Sequence, residues 1–75
     1  MIPLKQTVEH NLDTYFSHLD GENANNLYDL VMKEVEFALL KNVMKHAKGN
    51  QSKAASWLGI ARNTLRKRLE EYNLE

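Results

Sequence analysis

Residues 49–69 read GNQSKAASWLGIARNTLRKRL, and this stretch decides the fold of the chain. Gly49 and Gly59 are placed to end two successive helices, because glycine readily adopts the left-handed backbone that follows a helix. Asn50 can cap the short helix that lies between them, over about residues 51–58. A second short helix follows the turn, and two short helices joined by a tight turn containing glycine form the helix-turn-helix pattern.

The second helix of this pair, over about residues 62–71, is predicted to bury one edge and to expose a basic face. Ala54 and Ala55 in the first helix are small, as two closely crossing helices require. An ordinary helical hairpin would share the turn and the apolar contacts, but it would not require four positive charges between Arg62 and Arg68. The combination favours a recognition helix that enters the major groove of DNA. The side chains predicted to hold the pair together are Leu58, Ile60, Leu65 and Leu69, with Tyr72 completing the buried edge.

The charges are divided along the chain. Ten basic and ten acidic side chains give a net charge of zero. Residues 1–40 carry two basic and seven acidic side chains, a net charge of −5, whereas residues 41–75 carry eight basic and three acidic ones, a net charge of +5. A polyanion is the natural partner of the second half. A solvated surface is the alternative explanation for the charge run taken alone.

Two longer helices are predicted upstream. Apolar residues from Leu4 to Leu19 recur at helical spacing after Pro3, and Asp20-Gly21 is expected to end this first helix. Asn26 is placed to cap a second helix of about twenty residues, or roughly 30 Å. The chain is therefore predicted to be all-α, a single domain over residues 1–75 with two long helices over 4–47 and a helix-turn-helix over 50–72.

The second helix is apolar on more than one side, because Tyr28, Met32, Phe37 and Leu40 lie off its main stripe. Scattered surface hydrophobes are one explanation. A homodimer is favoured, since a 75-residue monomer with so small a core would be marginally stable.

Composition excludes several classes of protein. Cysteine is absent, so disulfides and thiolate metal sites are excluded. The longest apolar run is four residues, from Phe37 to Leu40, far short of the ~20 that span a bilayer. No basic stretch followed by an apolar one begins the chain. A cytoplasmic protein without a membrane partner is expected.

The sequence offers little for catalysis. His10, His18 and His46 form no His-Glu-x-x-His motif, and no glycine-rich loop follows a strand. Glu34 and Glu36 are two residues apart and so cannot share a helix face. We therefore expect no enzyme, no cofactor, no metal site and no small-molecule substrate.

The runs Gly49 to Ala55, Leu58-Gly59-Ile60 and Arg62 to Leu69 resemble the helix-turn-helix shared by the Fis family and the NtrC-type activators. Upstream segments resemble the dimerising helices of Fis, namely Tyr15-Phe16, Leu27 to Val31, Glu34 to Glu36 and Leu39-Leu40. The likeness covers nearly the whole chain, which is identified as a member of the Fis family. It implies a homodimeric, nucleoid-associated bacterial transcription regulator that binds degenerate pseudo-palindromic DNA sites and bends them.

The resemblance also implies the roles of individual residues. Arg62 falls where Fis reads a guanine, and arginine suits that base through bidentate bonds to O6 and N7. The other positions matched to DNA contacts are Asn50, Gln51, Ser52 and Lys53 in the third helix and Asn63, Thr64, Arg66, Lys67 and Arg68 in the fourth. The positions matched to the dimer interface are Leu12, Tyr15, Phe16, Leu27, Leu30, Val31, Val35 and Leu39.

Some positions depart from the family pattern. Ala61 stands where an asparagine usually caps the fourth helix and approaches a base, so that cap and that contact are expected to be missing. Glu70 and Glu71 replace basic residues, which predicts fewer phosphate contacts and a shallower salt dependence. Ala38 replaces a proline that kinks the second helix, which predicts a smoother helix.

Two partners of the family depend on particular segments. Family members with a longer N-terminal arm contact DNA invertases, but only Met1-Ile2-Pro3 precede the first helix here. We therefore expect no stimulation of DNA inversion by a chain of this length. Some members contact RNA polymerase near the turn between the second and third helices, which Lys48 and Gly49 occupy.

Two other functions compete with this interpretation. A helical interaction module could bind an acidic protein through the basic face, but it would not require the Gly-Asn-Gln turn or Arg62. A DNA-binding domain cut from an NtrC-type activator would have an ATPase domain upstream, whereas Met1 stands directly before the first helix.

Overall fold

The computed structural model describes residues 3–19 and 24–75 of the chain. These residues form four α-helices and no strand: α1 (Leu4–Ser17), α2 (Leu27–His46), α3 (Gln51–Leu58) and α4 (Arg62–Glu71). The prediction of an all-α, four-helix chain is confirmed. The bounds predicted for the third and fourth helices match α3 and α4.

Helix α1 carries an apolar stripe that is only partly covered. Val8, Leu12 and Tyr15 are half-buried, and no residue of the helix is fully buried. The helix ends at Ser17, where the backbone N–H of His18 donates to the carbonyls of Thr14 and Tyr15 at 3.2 Å each. The predicted stop at Asp20-Gly21 lies outside the described residues.

The predicted cap of α2 is wrong. Asn26 precedes the helix with left-handed backbone (φ 54°, ψ 30°), and its side chain makes no capping hydrogen bond. A capping side chain needs extended backbone to reach the free N–H groups of the first turn, and asparagine is instead one of the few residues that tolerate the left-handed region. Asp29 in the first turn and Lys45 and His46 in the last turn complement the helix dipole.

Helix α2 runs without interruption through Ala38 over its 20 residues. Its continuity agrees with the expectation that alanine at this position leaves the helix unkinked, since alanine keeps the backbone N–H that proline lacks. The helix is therefore a rod of about 30 Å.

Helices α2, α3 and α4 end in Schellman motifs, in which a residue with positive φ follows the helix. Lys48 (φ 54°), Gly59 (φ 73°) and Asn73 (φ 55°) hold that position, and Gly49 (φ 80°) extends the left-handed backbone after α2. The left-handed conformation predicted for Gly59 is confirmed. The defining hydrogen bonds run from the N–H groups of Gly49, Ile60 and Leu74 to the carbonyls of Met44, Ala55 and Leu69, at 3.1, 3.1 and 2.8 Å.

The core lies at one end of the molecule. Its fully buried residues come from the second half of α2 and from α3 and α4. Ile60, predicted to help lock α3 to α4, is instead 38% exposed in the connection after Gly59 and is not part of the core. The buried residues are Leu40, Ala47, Ala54, Ala55, Leu65 and Leu69, with Val43, Met44, Leu58, Tyr72 and Leu74 packed against them.

The molecule is elongated. It measures 45 × 27 × 17 Å, and its radius of gyration is 15.0 Å. A compact domain of this length would have a radius of gyration of about 11 Å. The difference arises because α1 and the first half of α2 extend beyond the core.

Candidate nucleic-acid interface

The N-terminus of α3 is built to present backbone donors. Asn50 has extended backbone, and its side-chain oxygen accepts a hydrogen bond from the backbone N–H of Lys53 at 3.0 Å. The predicted cap is confirmed. This bond leaves the N–H groups of Gln51 and Ser52 at the positive end of the helix dipole, where an anion is stabilised.

The crossing of α3 and α4 depends on small side chains. Ala54 is fully buried and Ala55 is 4% exposed, while Leu65 and Leu69 of α4 are fully buried in the same cluster. The prediction that these alanines permit close packing is confirmed. The Schellman motif at Gly59 then turns the chain tightly into α4.

Helix α4 exposes its polar and basic side chains while burying Leu65 and Leu69. Arg62 and Arg66 are one turn apart, as are Asn63 and Lys67, so both pairs form rows along the exposed surface. Ala61 has extended backbone but supplies no capping bond, as predicted. In residues 3–19 and 24–75 the ion pairs within 4.0 Å all involve Arg68, which leaves the charges of Arg62, Arg66 and Lys67 without an internal partner there.

Arg68 differs from the other basic residues of α4. Its Nε lies 3.7 Å from Oε2 of Glu36 in α2, and its Nη1 lies 3.5 Å from Oε2 of Glu71. The hydroxyl of Tyr72 donates a 2.6 Å hydrogen bond to Oε1 of Glu36. This bond, reinforced by partial burial and by the negative charge of Glu36, raises the pKa of Tyr72. The sequence analysis missed this group, since its members are up to 36 residues apart.

Trp57 was also missed, although it lies one turn after Lys53 on α3. Its side chain is 53% exposed, and Nζ of Lys53 lies 5.2 Å from the centroid of its ring. The contact is a cation–π interaction. It holds the Lys53 ammonium against Trp57 on the exposed surface of α3.

The predicted dimer residues divide into two sets. Four of them, Leu12, Tyr15, Leu27 and Val31, are half-buried and line a groove between α1 and α2 of the same protomer. The other four are exposed on α1 and α2, and α2 exposes three more large apolar side chains, distributed over two of its faces. The exposed dimer residues are Phe16, Leu30, Val35 and Leu39, and the additional ones are Tyr28, Met32 and Phe37.

The part of the chain that the structure describes holds neither a metal-binding cluster nor a helix suited to a membrane. Across residues 3–19 and 24–75, no cluster of three or more His, Cys, Asp or Glu side chains could hold a metal ion. None of the helices within these ranges is both long and apolar enough to cross a bilayer.

A family profile and several individual proteins resemble this chain, and all of them are of the Fis type. The profile described as "Bacterial regulatory protein, Fis family" matches residues 31–72. A Fis-like DNA-binding protein of Ralstonia nicotianae is 50% identical over 96% of this chain and 94% of its own length. DNA-binding protein Fis of Actinobacillus succinogenes is 49% identical and that of Histophilus somni is 47% identical, each over 96% of this chain and 73% and 74% of the relative, respectively.

Proposed function

Because the chain belongs to the Fis family of bacterial regulatory proteins, we propose that it is a homodimeric, non-enzymatic protein that binds and bends DNA. In this role it acts on the nucleoid as a transcription regulator. The observation that carries the proposal is the basic surface of α4, where Arg62, Arg66 and Lys67 are exposed and form no ion pair within the described residues.

The two short helices divide the contacts with DNA. Helix α4 enters the major groove, and Arg62 in its first turn reads a guanine through O6 and N7. Helix α3 holds the sugar-phosphate backbone through the N–H groups and side chains at its N-terminus. The remaining contacts come from Asn50, Gln51, Ser52 and Lys53 in α3, and from Asn63, Thr64, Arg66 and Lys67 in α4.

A second copy of the chain covers the exposed apolar surface of α1 and α2. The protomer is elongated, and Phe16, Leu30, Val35 and Leu39 are between 37% and 50% exposed. So large an apolar surface on a small protein is typical of a protein–protein interface. The half-buried residues of the groove between α1 and α2 complete the dimer interface. They are Leu12, Tyr15, Leu27 and Val31.

Bending follows from the spacing of the two recognition helices. Two half-sites on one face of straight DNA are about 34–36 Å apart. Recognition helices held closer together require the duplex to bend, at a cost on the order of 1–6 kcal/mol. Base steps that the protein does not touch then affect which sites are bound.

The turn between α2 and α3 is proposed to contact RNA polymerase. Lys48 and Gly49 are exposed in this turn and have left-handed backbone. This turn directly precedes Asn50, so the proposed contact borders the DNA contacts at the N-terminus of α3.

A titration tests the DNA-binding function. The wild type and Arg62→Ala are titrated with a ~30 bp duplex carrying G and C at the half-site edges, and with scrambled DNA, at two salt concentrations. We expect Arg62→Ala to weaken binding by ~1–3 kcal/mol on the specific duplex alone. Lys5→Ala, which removes an exposed charge from α1, is the matched control and should bind like the wild type.

Equal weakening on both duplexes would make Arg62 a phosphate contact and assign specificity to DNA shape. Absence of wild-type binding at low salt would contradict the DNA-binding function. An acidic protein would then be the better candidate for the partner of the basic surface.

A further inference from the structure

The C-terminal end of α4 is tied to the middle of α2 by polar contacts that converge on one carboxylate. Oε1 of Glu36 accepts the 2.6 Å hydrogen bond from the Tyr72 hydroxyl, and Oε2 lies 3.7 Å from Nε of Arg68. One side chain of α2 thus contacts two residues one turn apart at the end of the recognition helix.

Aromatic and backbone contacts surround this carboxylate. The ring of Phe37, next to Glu36 on α2, meets the ring of Tyr72 edge to face, with centroids 6.0 Å apart and planes at 66°. The backbone N–H of Tyr72 donates to the carbonyl of Arg68 at 3.2 Å, and the Schellman motif after it anchors Leu74 against the core. The end of α4 is therefore fixed against α2 by both polar and apolar contacts.

Glu36 also lies beside the surface that the proposed function assigns to the dimer. Val35 precedes it directly and Leu39 follows one turn later, and both are exposed. Glu36, Arg68, Val35 and Leu39 line the same surface groove. Helix α2 thus carries the dimer surface and the anchor of α4 within one turn.

We propose that Glu36, Tyr72 and Arg68 form a positioning cluster that sets the angle between α4 and α2, and thereby the separation of the two recognition helices. This inference rests on the proposed homodimeric, DNA-binding function. Because α2 is common to the dimer surface and the cluster, a change in the α2–α4 angle moves each recognition helix relative to its partner. The cluster therefore determines which half-site spacing and which degree of bending are preferred.

The cluster also assigns a different role to Arg68. A guanidinium paired with Glu36 and Glu71 holds the recognition helix in place instead of contributing a phosphate contact. Lys67, its neighbour on α4, has no such internal partner among the described residues and remains a phosphate contact. The two adjacent basic residues are therefore expected to affect binding in different ways.

The test uses the full chain and a series of duplexes whose half-site edges differ in separation by single base pairs. Affinity for each duplex, DNA bending by gel mobility, and the slope of log affinity against log salt are measured for the wild type and for conservative variants. Glu36→Gln keeps an acceptor for Tyr72 but removes the charge that faces Arg68. Tyr72→Phe keeps the aromatic contact with Phe37 but removes the hydrogen bond, and circular dichroism checks that each variant remains helical.

We expect the wild type to prefer one spacing. The variants should lose this preference, so that the ratio of affinities for the best and the next spacing falls toward one. The angle by which the DNA is bent should also change. Both effects are expected for Glu36→Gln, Tyr72→Phe and Arg68→Ala. Lys67→Ala is the matched control: it should lower affinity evenly across all spacings and reduce the salt slope by ~1.8, the value for two lost phosphate contacts, one from each copy of the dimer. Arg68→Ala should leave the slope at the wild-type value.

Three results would overturn the proposal. An unchanged spacing profile in Glu36→Gln and Tyr72→Phe would refute the positioning role while leaving the proposed function intact. A salt slope that falls in Arg68→Ala as it does in Lys67→Ala would make Arg68 an ordinary phosphate contact. A wild type that binds none of the duplexes would refute the proposed function and the cluster together.

Discussion

Asn50 combines a structural and a proposed binding role in one side chain. Its oxygen caps α3 by accepting the Lys53 N–H, and its position at the N-terminus of the helix faces the proposed phosphate. We expect Asn50→Ala to lower the free energy of unfolding by about 1 kcal/mol, since alanine cannot cap a helix. Urea denaturation measures this change.

Asn50→Ser is the matched control, because serine also caps helices well and should retain most of the stability. If the alanine and serine variants unfold at the same urea concentration, the cap does not stabilise the protein. The DNA affinities of the two variants then show whether Asn50 acts only as a helix cap or also contacts the DNA.

Because the pKa of Tyr72 is raised, we expect the free energy of unfolding to fall at alkaline pH. Its hydrogen bond to Glu36 is the main reason why the pKa of the phenol is raised above its ordinary value of 10.0. A raised pKa means that the folded state favours the neutral phenol. The contribution to stability is therefore complete below about pH 10 and is lost as the pH rises through the folded-state pKa.

The measurement compares the free energy of unfolding of the wild type and Tyr72→Phe from about pH 8 to about pH 12. The wild type should be the more stable protein at the lower pH, and the difference should shrink as the pH rises. If the difference in free energy of unfolding stays constant over this range, the hydrogen bond donated by the neutral phenol does not contribute to stability.

At the scale of elements, the crossing of α3 and α4 depends on the absence of side-chain volume at Ala54. This residue is fully buried against a cluster that includes Leu65 and Leu69. We expect Ala54→Leu to destabilise the fold by about 1–3 kcal/mol, because extra methylenes force the packed helices apart. Thermal unfolding followed by circular dichroism tests this expectation.

The exposed position Ser56 on the same helix provides a control, because the same leucine side chain is introduced there without being buried. Ser56→Leu should change stability by no more than about 0.5 kcal/mol, as surface substitutions usually do. A destabilisation of similar size in both variants would show that the loss does not arise from packing at the crossing of α3 and α4. DNA binding by Ala54→Leu should weaken as well, since α4 would be displaced from α3.

At the scale of the whole molecule, the distribution of burial separates the protomer into a packed end and an uncovered end. Leu39 is 49% exposed on α2, within the surface assigned to the second copy. We expect Leu39→Glu to shift a dimeric wild type toward monomer, because a charge buried at an interface without a partner is strongly unfavourable. Sedimentation velocity measures the shift.

Lys45→Glu is the control for this change, since Lys45 is exposed near the C-terminal end of α2, away from the apolar residues assigned to the second copy. It should remain dimeric. A wild type that sediments as a monomer would contradict the proposed dimer. Retention of the dimer in Leu39→Glu would place the interface elsewhere on the molecule.

The sequence predicted all four helices, and the details that failed are the cap at Asn26 and the burial of Ile60. The bounds of α3 and α4, the Asn50 cap and the left-handed Gly59 depend on local backbone chemistry, so residues close in sequence specify them. The cap assigned to Asn26 failed because asparagine suits both a cap and left-handed backbone, and residue type alone does not distinguish them. Ile60 failed because apolar character does not reveal whether a neighbouring helix covers a turn residue.

The sequence by itself determined the helical class, the order of the helices and the basic character of the helix-turn-helix, because periodicity, caps and charge are local properties of the chain. Only the tertiary structure decided which basic side chains of α4 are paired with α2 and which are left exposed. It brings Glu36 within reach of Arg68 and Tyr72, and it leaves Arg62, Arg66 and Lys67 facing outward. The physical reason is that a contact between residues so far apart in sequence depends on how α2 and α4 pack, which no local pattern encodes.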